Sequence, residues 1–116
     1  MKSADCIFCK IVDGVIPSTK VFENDKVLGF KDLQPQAALH YLFIHKHHSS
    51  DVNHLIEIEP AQVADIYSAI REVTLKEGLD KKGFRVVTNM GPHGGQTVFH
   101  THFHLLGGEQ LRGFGK

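Results

Sequence analysis

Three histidines fall on alternate residues near the C-terminus, in the run Phe99-His100-Thr101-His102-Phe103-His104-Leu105. Side chains alternate faces along a strand, so a strand over Val98 to Leu106 sets His100, His102 and His104 on one side, with neighbours about 6.8 Å apart. Phe99, Phe103 and Leu105 then turn to the opposite face and are expected to be buried against a helix. Each imidazole carries a donor and an acceptor that need partners, which is poor material for packing alone. Two chemistries suit three such rings. Imidazole is the commonest protein metal ligand and an H-x-H pair can chelate zinc, which would make a His₃ catalytic metal site. Alternatively one ring is a nucleophile, another a proton donor and the third a positioning group.

The segment before the strand favours the second chemistry. Gly91-Pro92-His93-Gly94-Gly95-Gln96-Thr97 is a glycine-rich connection whose backbone amides can be aimed at an anion, with Gln96 and Thr97 adding side-chain donors. Beside an imidazole, such a loop suits phosphoryl transfer. An imidazole with a pKa near 6.5 is largely neutral at pH 7 and attacks phosphorus without first losing a proton. The phosphorus–nitrogen bond so formed is labile enough for water to break in a second step.

The elements that must hold these groups read as α+β. Cys6 to Val12 carries Ile7, Phe8 and Ile11 at helical spacing, ended by Asp13-Gly14. Lys20 to Glu23 and Val27 to Lys31 read as a hairpin around Asn24-Asp25. Tyr41 to Ile44, between His40 and His45, is a central strand, and Phe84 to Thr88 is a fourth. One long helix starts at Pro60 and runs to Glu77, with Gly78 as its stop and Val63, Ile66, Tyr67, Ile70 and Val73 as its apolar stripe. Gln62, Asp65, Arg71 and Glu72 are placed on its outer face. The order predicts a five-stranded antiparallel sheet with one long and one short helix packed on one face.

The bulk properties narrow the partners. In 116 residues, 13 basic and 13 acidic side chains give no net charge, so no field draws the chain to nucleic acid or to an anionic membrane. No apolar run approaches a membrane span and the first residues lack a signal-peptide core, which predicts a cytoplasmic protein with a small-molecule partner. The size fits one domain over residues 1–116. Cys6 and Cys9 form a C-x-x-C pair, in a reducing compartment more often a metal or redox element than a structural disulfide.

Gly94-Gly95-Gln96-Thr97-Val98-Phe99-His100-Thr101-His102-Phe103-His104-Leu105-Leu106-Gly107-Gly108 resembles the H-φ-H-φ-H-φ-φ signature of the histidine-triad (HIT) nucleotide-binding hydrolases, φ being apolar. The likeness extends to Cys6-Ile7-Phe8-Cys9-Lys10-Ile11, Ile16-Pro17, residues 30 to 37 and His40 to Ile44, and covers about residues 5 to 111. It implies that His102 becomes nucleotidylated, that His104 contacts the phosphate and passes a proton to the leaving group, that His100 orients the triad through its carbonyl, and that His40 supports the proton relay. It places Asn89, Gly95, Gln96, Thr97 and Val98 at the phosphate and leaving group, Asp32 at the ribose hydroxyls, and Ile7, Phe8, Ile11, Phe30 and Leu33 at the purine. It further implies a homodimer joined into a ten-stranded sheet.

The family also supplies a metal reading. Cys6 and Cys9 resemble the pair with which some bacterial members bind structural zinc, completed here by His48 and His100, with His47 or His93 as alternatives for the third ligand. Four nitrogen and sulfur ligands make a closed, structural site. Three departures stand out: Thr101 in place of an apolar residue, His45 where the family usually has proline, and a tail, Gln110 to Lys116, without tryptophan. The compact length and Gly107-Gly108 point to the Hint-like branch, a purine nucleoside phosphoramidase. A dinucleoside polyphosphate hydrolase or nucleotidyl transferase, a non-catalytic purine nucleotide sensor and a His₃ zinc hydrolase are the alternatives.

Overall fold

The computed structural model describes residues 5–113, so the first residues and the last three of the tail lie outside it. Five strands, β1 (Lys20–Glu23), β2 (Val27–Lys31), β3 (Leu39–His45), β4 (Arg85–Val87) and β5 (His102–Gly107), form one antiparallel sheet in the order β1-β2-β3-β5-β4. The β1–β2 hairpin closes as its sequence requires: Asn24 Oδ1 accepts from the amides of Lys26 and Val27 at 2.9 and 2.8 Å, the side chain standing in for a backbone turn acceptor. Gly29 of β2 faces the ring of Phe43 across the ladder, and a Cβ there would lie 2.7 Å from that ring.

Among the described residues four helices accompany the sheet rather than the two expected: α1 (Ile7–Val12), α2 (Val52–Ile58), α3 (Ala61–Glu77) and α4 (Leu79–Lys82). Asp51 caps α2 by accepting from the His54 amide at 2.9 Å, a capping interaction strong enough to start a helix whose own sequence shows little periodicity. Gly78 ends α3 in the left-handed conformation, φ 75°, as its position predicts. The buried stripe of α3 is rotated from the expected one. Gln62, Ile66, Ala69, Ile70 and Val73 are buried while Tyr67 is 44% exposed.

The two faces of the sheet are covered by different helices, contrary to the expectation that both helices share one. Val27, Tyr41, Phe43, Phe103 and Leu105 pack with Ile66, Ala69, Ile70 and Val73 of α3. Leu28, Phe30, Leu42 and Ile44 pack on the other face with Phe8 and Ile11 of α1. The pleat puts His102 opposite Ile44 and His104 opposite Leu42, so both histidines point to the α1 side.

Candidate active site and metal centre

β5 starts at His102, not at Val98. Residues 98–101 leave the ladder and run against the loop that follows β3, where the Thr101 amide donates to the Ser49 carbonyl at 2.8 Å. One side chain moves with this change: Phe99, expected in the core, is 54% exposed. Phe103 and Leu105 are buried against α3 as expected.

The departure from the ladder separates the three histidines into two sites. The His102 ring is buried, with Phe8 edge-on to it at a centroid distance of 5.1 Å. Its Nδ1 lies 2.7 Å from the His100 carbonyl. A carbonyl only accepts, so the proton sits on Nδ1 and the lone pair on Nε2. His104 is set by a second chain. The Gln36 amide donates to His40 Nδ1 at 2.9 Å, which leaves the His40 proton on Nε2, 2.8 Å from His104 Nδ1. His104 Nδ1 is therefore the acceptor, and Nε2 of His104 carries its proton. Asp32 Oδ2 lies 3.4 Å from His40 Nε2, while Asp32 Oδ1 accepts from the Gln34 amide.

Burial holds all four rings toward the neutral form. It lowers His102 and His40 below the usual imidazole value, opposed in His102 by the bond to the His100 carbonyl and then by Asp32, and in His40 by Asp32. His104 is pushed down to about 4 by burial and by the neighbouring His102 and His40, against Asp32. His100 also falls to about 4, chiefly by burial.

His100 faces the second site. Its Nε2 donates to the His45 carbonyl at 3.1 Å, which turns the Nδ1 lone pair to 3.2 Å from Cys6 Sγ, 3.5 Å from Cys9 Sγ and 3.2 Å from His48 Nδ1. Cys9 Sγ is 3.4 Å from His48 Nδ1, and all four ligand atoms lie within 4.8 Å of one another. A tetrahedral zinc with ordinary bond lengths needs about 3.5 Å between sulfur and nitrogen and about 3.3 Å between nitrogens. The four donors fit it, and the His100 tautomer is the one a metal requires. Of the three histidines considered for the third position, His48 is the one that converges with Cys6, Cys9 and His100. His47 Nδ1 is buried without a hydrogen bond, and His93 is on the exposed part of the glycine loop.

Asp32, His40 and His104 also converge closely enough to suggest a metal, but the Gln36 amide argues otherwise. To ligate through Nε2, His40 would need its proton on Nδ1, facing that N–H.

The glycine loop differs from its expected use. The amides of Gly95 and Gln96 donate to Pro92 and Gly91 carbonyls, and that of Gly91 to Gln96 Oε1. Gln96 Nε2 donates to the Ser50 and Val98 carbonyls at 2.7 and 3.1 Å, and Asn89 Nδ2 donates to the Gly94 carbonyl. The Gly95 and Gln96 amides and both N–H groups of the Gln96 side chain are thus spent on carbonyls, and Asn89 spends one of its two, because the tight turns must satisfy their own backbone groups. Among the described residues, the Thr97 and Val98 amides and the Thr97 hydroxyl carry no hydrogen bond and remain for an anion. Of the purine-slot residues, Phe8, Ile11 and Phe30 are buried together beside His102 with Val98 packed against them. Ile7 is 46% exposed on the outer side of α1, and Leu33 is 94% exposed, outside that cluster.

The loop, the paired tautomers and the histidine run coincide with a HIT domain, whose family model matches residues 13–111. The chain belongs to the HIT family. A histidine-triad protein from Clostridium difficile has the same fold, with a TM-score of 0.95 at 43% identity over 99% of this chain and 100% of that one. A HIT family hydrolase from Legionella pneumophila superposes with a TM-score of 0.89 at 42% identity, covering 93% of this chain and 96% of its own. A 14 kDa zinc-binding protein of Brassica juncea is 44% identical over 92% of this chain and 96% of its length. Among the described residues, no helix of this HIT protein is long and apolar enough to cross a membrane.

Proposed function

We propose that this HIT protein is a purine nucleoside phosphoramidase that cleaves at the α-phosphate through a nucleotidyl-His102 intermediate. The observation that carries the reading is the pair of fixed tautomers: His102 presents a lone pair at Nε2 and His104 presents a proton at Nε2. These tautomers support a nucleophile at His102 Nε2 and a donor path through His104 Nε2.

In the first step His102 Nε2 bonds to the α-phosphorus and the bond from phosphorus to the leaving nitrogen breaks. The anionic phosphoryl group and Asp32 both favour an added proton on the His40–His104 pair, taken from solvent at His40 Nδ1 in place of the Gln36 contact. The pair delivers that proton through His104 Nε2 to the departing amine. The positive charge left on the His102 ring is steadied by its Nδ1–H bond to the His100 carbonyl. In the second step water attacks phosphorus, the phosphorus–Nε2 bond breaks, and the pair takes a proton back from the water. Thr97 and Val98 donors hold the phosphoryl oxygens, and such preorganised donors are each worth about 3 kcal/mol. Gln96 and Asn89 keep the loop in shape from behind, and Gly95 lends its turn. Asp32 is shared between the ribose and the His40 pair, and Phe8, Ile11 and Phe30 form the back of the purine slot, with Ile7 and Leu33 at its rim.

The same proposal includes a structural zinc held by Cys6, Cys9, His48 and His100, a homodimer joined through the exposed edge of β4, and a cytoplasmic location. Hydrolysis of adenosine phosphoramidate by wild type and His102→Ala, with mass spectrometry for a trapped adduct, tests the mechanism. Loss of turnover in the variant and an adduct on His102 are expected. Nucleotide binding without turnover in the wild type would favour a sensor instead.

A further inference from the structure

The carbonyl that fixes the His102 tautomer is part of a peptide unit held at its other end as well. The unit runs from the His100 carbonyl to the Thr101 amide and is planar and rigid. Its oxygen accepts from His102 Nδ1 at 2.7 Å, and its N–H donates to the Ser49 carbonyl at 2.8 Å. The two residues that meet there are also joined by their side chains: Ser49 Oγ and Thr101 Oγ1 lie 2.6 Å apart, and Thr101 Oγ1 donates to the Ser49 carbonyl at 3.3 Å. Ser49 is 1% and Thr101 2% exposed.

We infer that Ser49 and Thr101 are positioning residues for the nucleophile, a buried hydroxyl pair that locks the 100–101 peptide plane and through it the tautomer of His102. The inference rests on His102 as the nucleophile. Its physical basis is the break in the ladder. Residues 98–101 lie outside β5, so the strand hydrogen bonds that would normally set this peptide plane are missing, and the loop after β3 supplies the replacement. Thr101 occupies a position where the family pattern has an apolar residue. An apolar side chain there would give packing but no directional tie, whereas a buried hydroxyl pair has few alternative geometries because each unmade bond leaves a desolvated polar group.

The pair does not touch substrate, so its loss should leave binding nearly intact and reduce the fraction of protein whose His102 Nε2 carries the lone pair. The test compares wild type, Thr101→Val, Thr101→Ser and Ser49→Ala as purified full-length proteins. Imidazole ¹⁵N resonances of His102, recorded without substrate, report its tautomer. Wild type and Thr101→Ser should show the single Nδ1–H form. Thr101→Val and Ser49→Ala should show a mixture, with kcat for adenosine phosphoramidate falling about tenfold and KM changing less than about twofold. If Thr101→Val does not fold, Ser49→Ala carries the comparison. A folded Thr101→Val or Ser49→Ala with an unchanged His102 resonance overturns the inference, as does a Thr101→Ser spectrum as disturbed as that of Thr101→Val. Absence of turnover in the wild type would instead sink the proposed reaction, while the resonances would still report on the lock.

Discussion

Replacing Cys9 with serine should separate α1 from the triad. Cys9 is one of four ligands whose donor atoms converge within 4.8 Å. Structural zinc sites contribute about 10–16 kcal/mol of apparent binding free energy, so an even share for one of four ligands is about 2.5–4 kcal/mol, or roughly 60- to 700-fold in zinc affinity. The effect on the fold follows from what the metal joins. α1 has six residues, too few to be stable alone, and Phe8 and Ile11 cover the sheet beside His102. With the zinc lost, that cover rests on apolar contact only, and the melting temperature should fall by about 10 °C. The assay is zinc content of untagged protein by mass spectrometry, with thermal unfolding in the presence and absence of a chelator. Wild type should hold about one zinc per chain and lose stability on chelation, whereas Cys9→Ser should hold little and be indifferent to the chelator. Equal zinc in the two proteins refutes the site. Zinc loss with unchanged melting refutes the claim that it pins α1.

Three further outcomes follow from the same geometry. Phe8→Ala removes a ring that meets Phe30 at 5.6 Å and His102 at 5.1 Å, and should cost about 3 kcal/mol by denaturant unfolding and raise KM for the nucleotide; an unchanged KM would remove Phe8 from the purine slot. His104 is held near 4 when folded against about 6.5 unfolded. As pH falls, the unfolded chain therefore binds this proton first, so stability is complete above about 6.5 and is lost toward pH 4. The limit of about 3.4 kcal/mol becomes about 2 for a partly exposed ring, and His104→Gln should flatten the pH dependence of urea unfolding; an identical slope would count against the shift. Gln96→Ala cuts three bonds, to the Ser50 and Val98 carbonyls and from the Gly91 amide, and should raise KM several-fold while kcat changes less, since it loosens the phosphate loop without touching His102 or His104.

Much of this architecture is legible in the residues, and the misses have physical causes. The β1–β2 hairpin, the end of α3 at Gly78 and the common face of His102 and His104 all follow from local chemistry or period-two alternation. The start of β5 does not, because alternation in the sequence continues through Phe99 and His100 while the backbone has already turned to Ser49. That is why Phe99 is exposed and why His100 serves a different site from its two neighbours. α2 depends on one cap, Asp51 to His54, and gives no periodic signal. The burial of Gln62 in place of Tyr67 reflects how α3 rolls on the sheet, a tertiary choice no stripe of apolar residues can specify within one position. The glycine loop was readable as a loop but not as one that consumes its own donors, since which amides remain free depends on Gln96 reaching back to Ser50.

Four histidines that look equivalent in sequence are distinguished by what holds their second nitrogen. The His45 carbonyl takes the Nε2–H of His100 and points its Nδ1 at two thiols and His48. The His100 carbonyl takes the Nδ1–H of His102 and leaves the lone pair on Nε2. The Gln36 amide occupies Nδ1 of His40, and the proton this places on Nε2 makes His104 a donor at its far side. Three of these four rings are anchored by a backbone group and His104 by the His40 side chain, so the tautomers follow largely from the course of the main chain through residues 36, 45 and 100. A His₃ metal site would need His100, His102 and His104 to turn lone pairs toward one point. The carbonyls of His45 and His100 hold the first two to different nitrogens, Nδ1 and Nε2, and His104 spends its Nδ1 lone pair on His40. Three imidazoles on alternate residues thus differ in what they can offer: His100 turns Nδ1 toward Cys6, Cys9 and His48, His102 carries its lone pair at Nε2, and His104 carries a proton there.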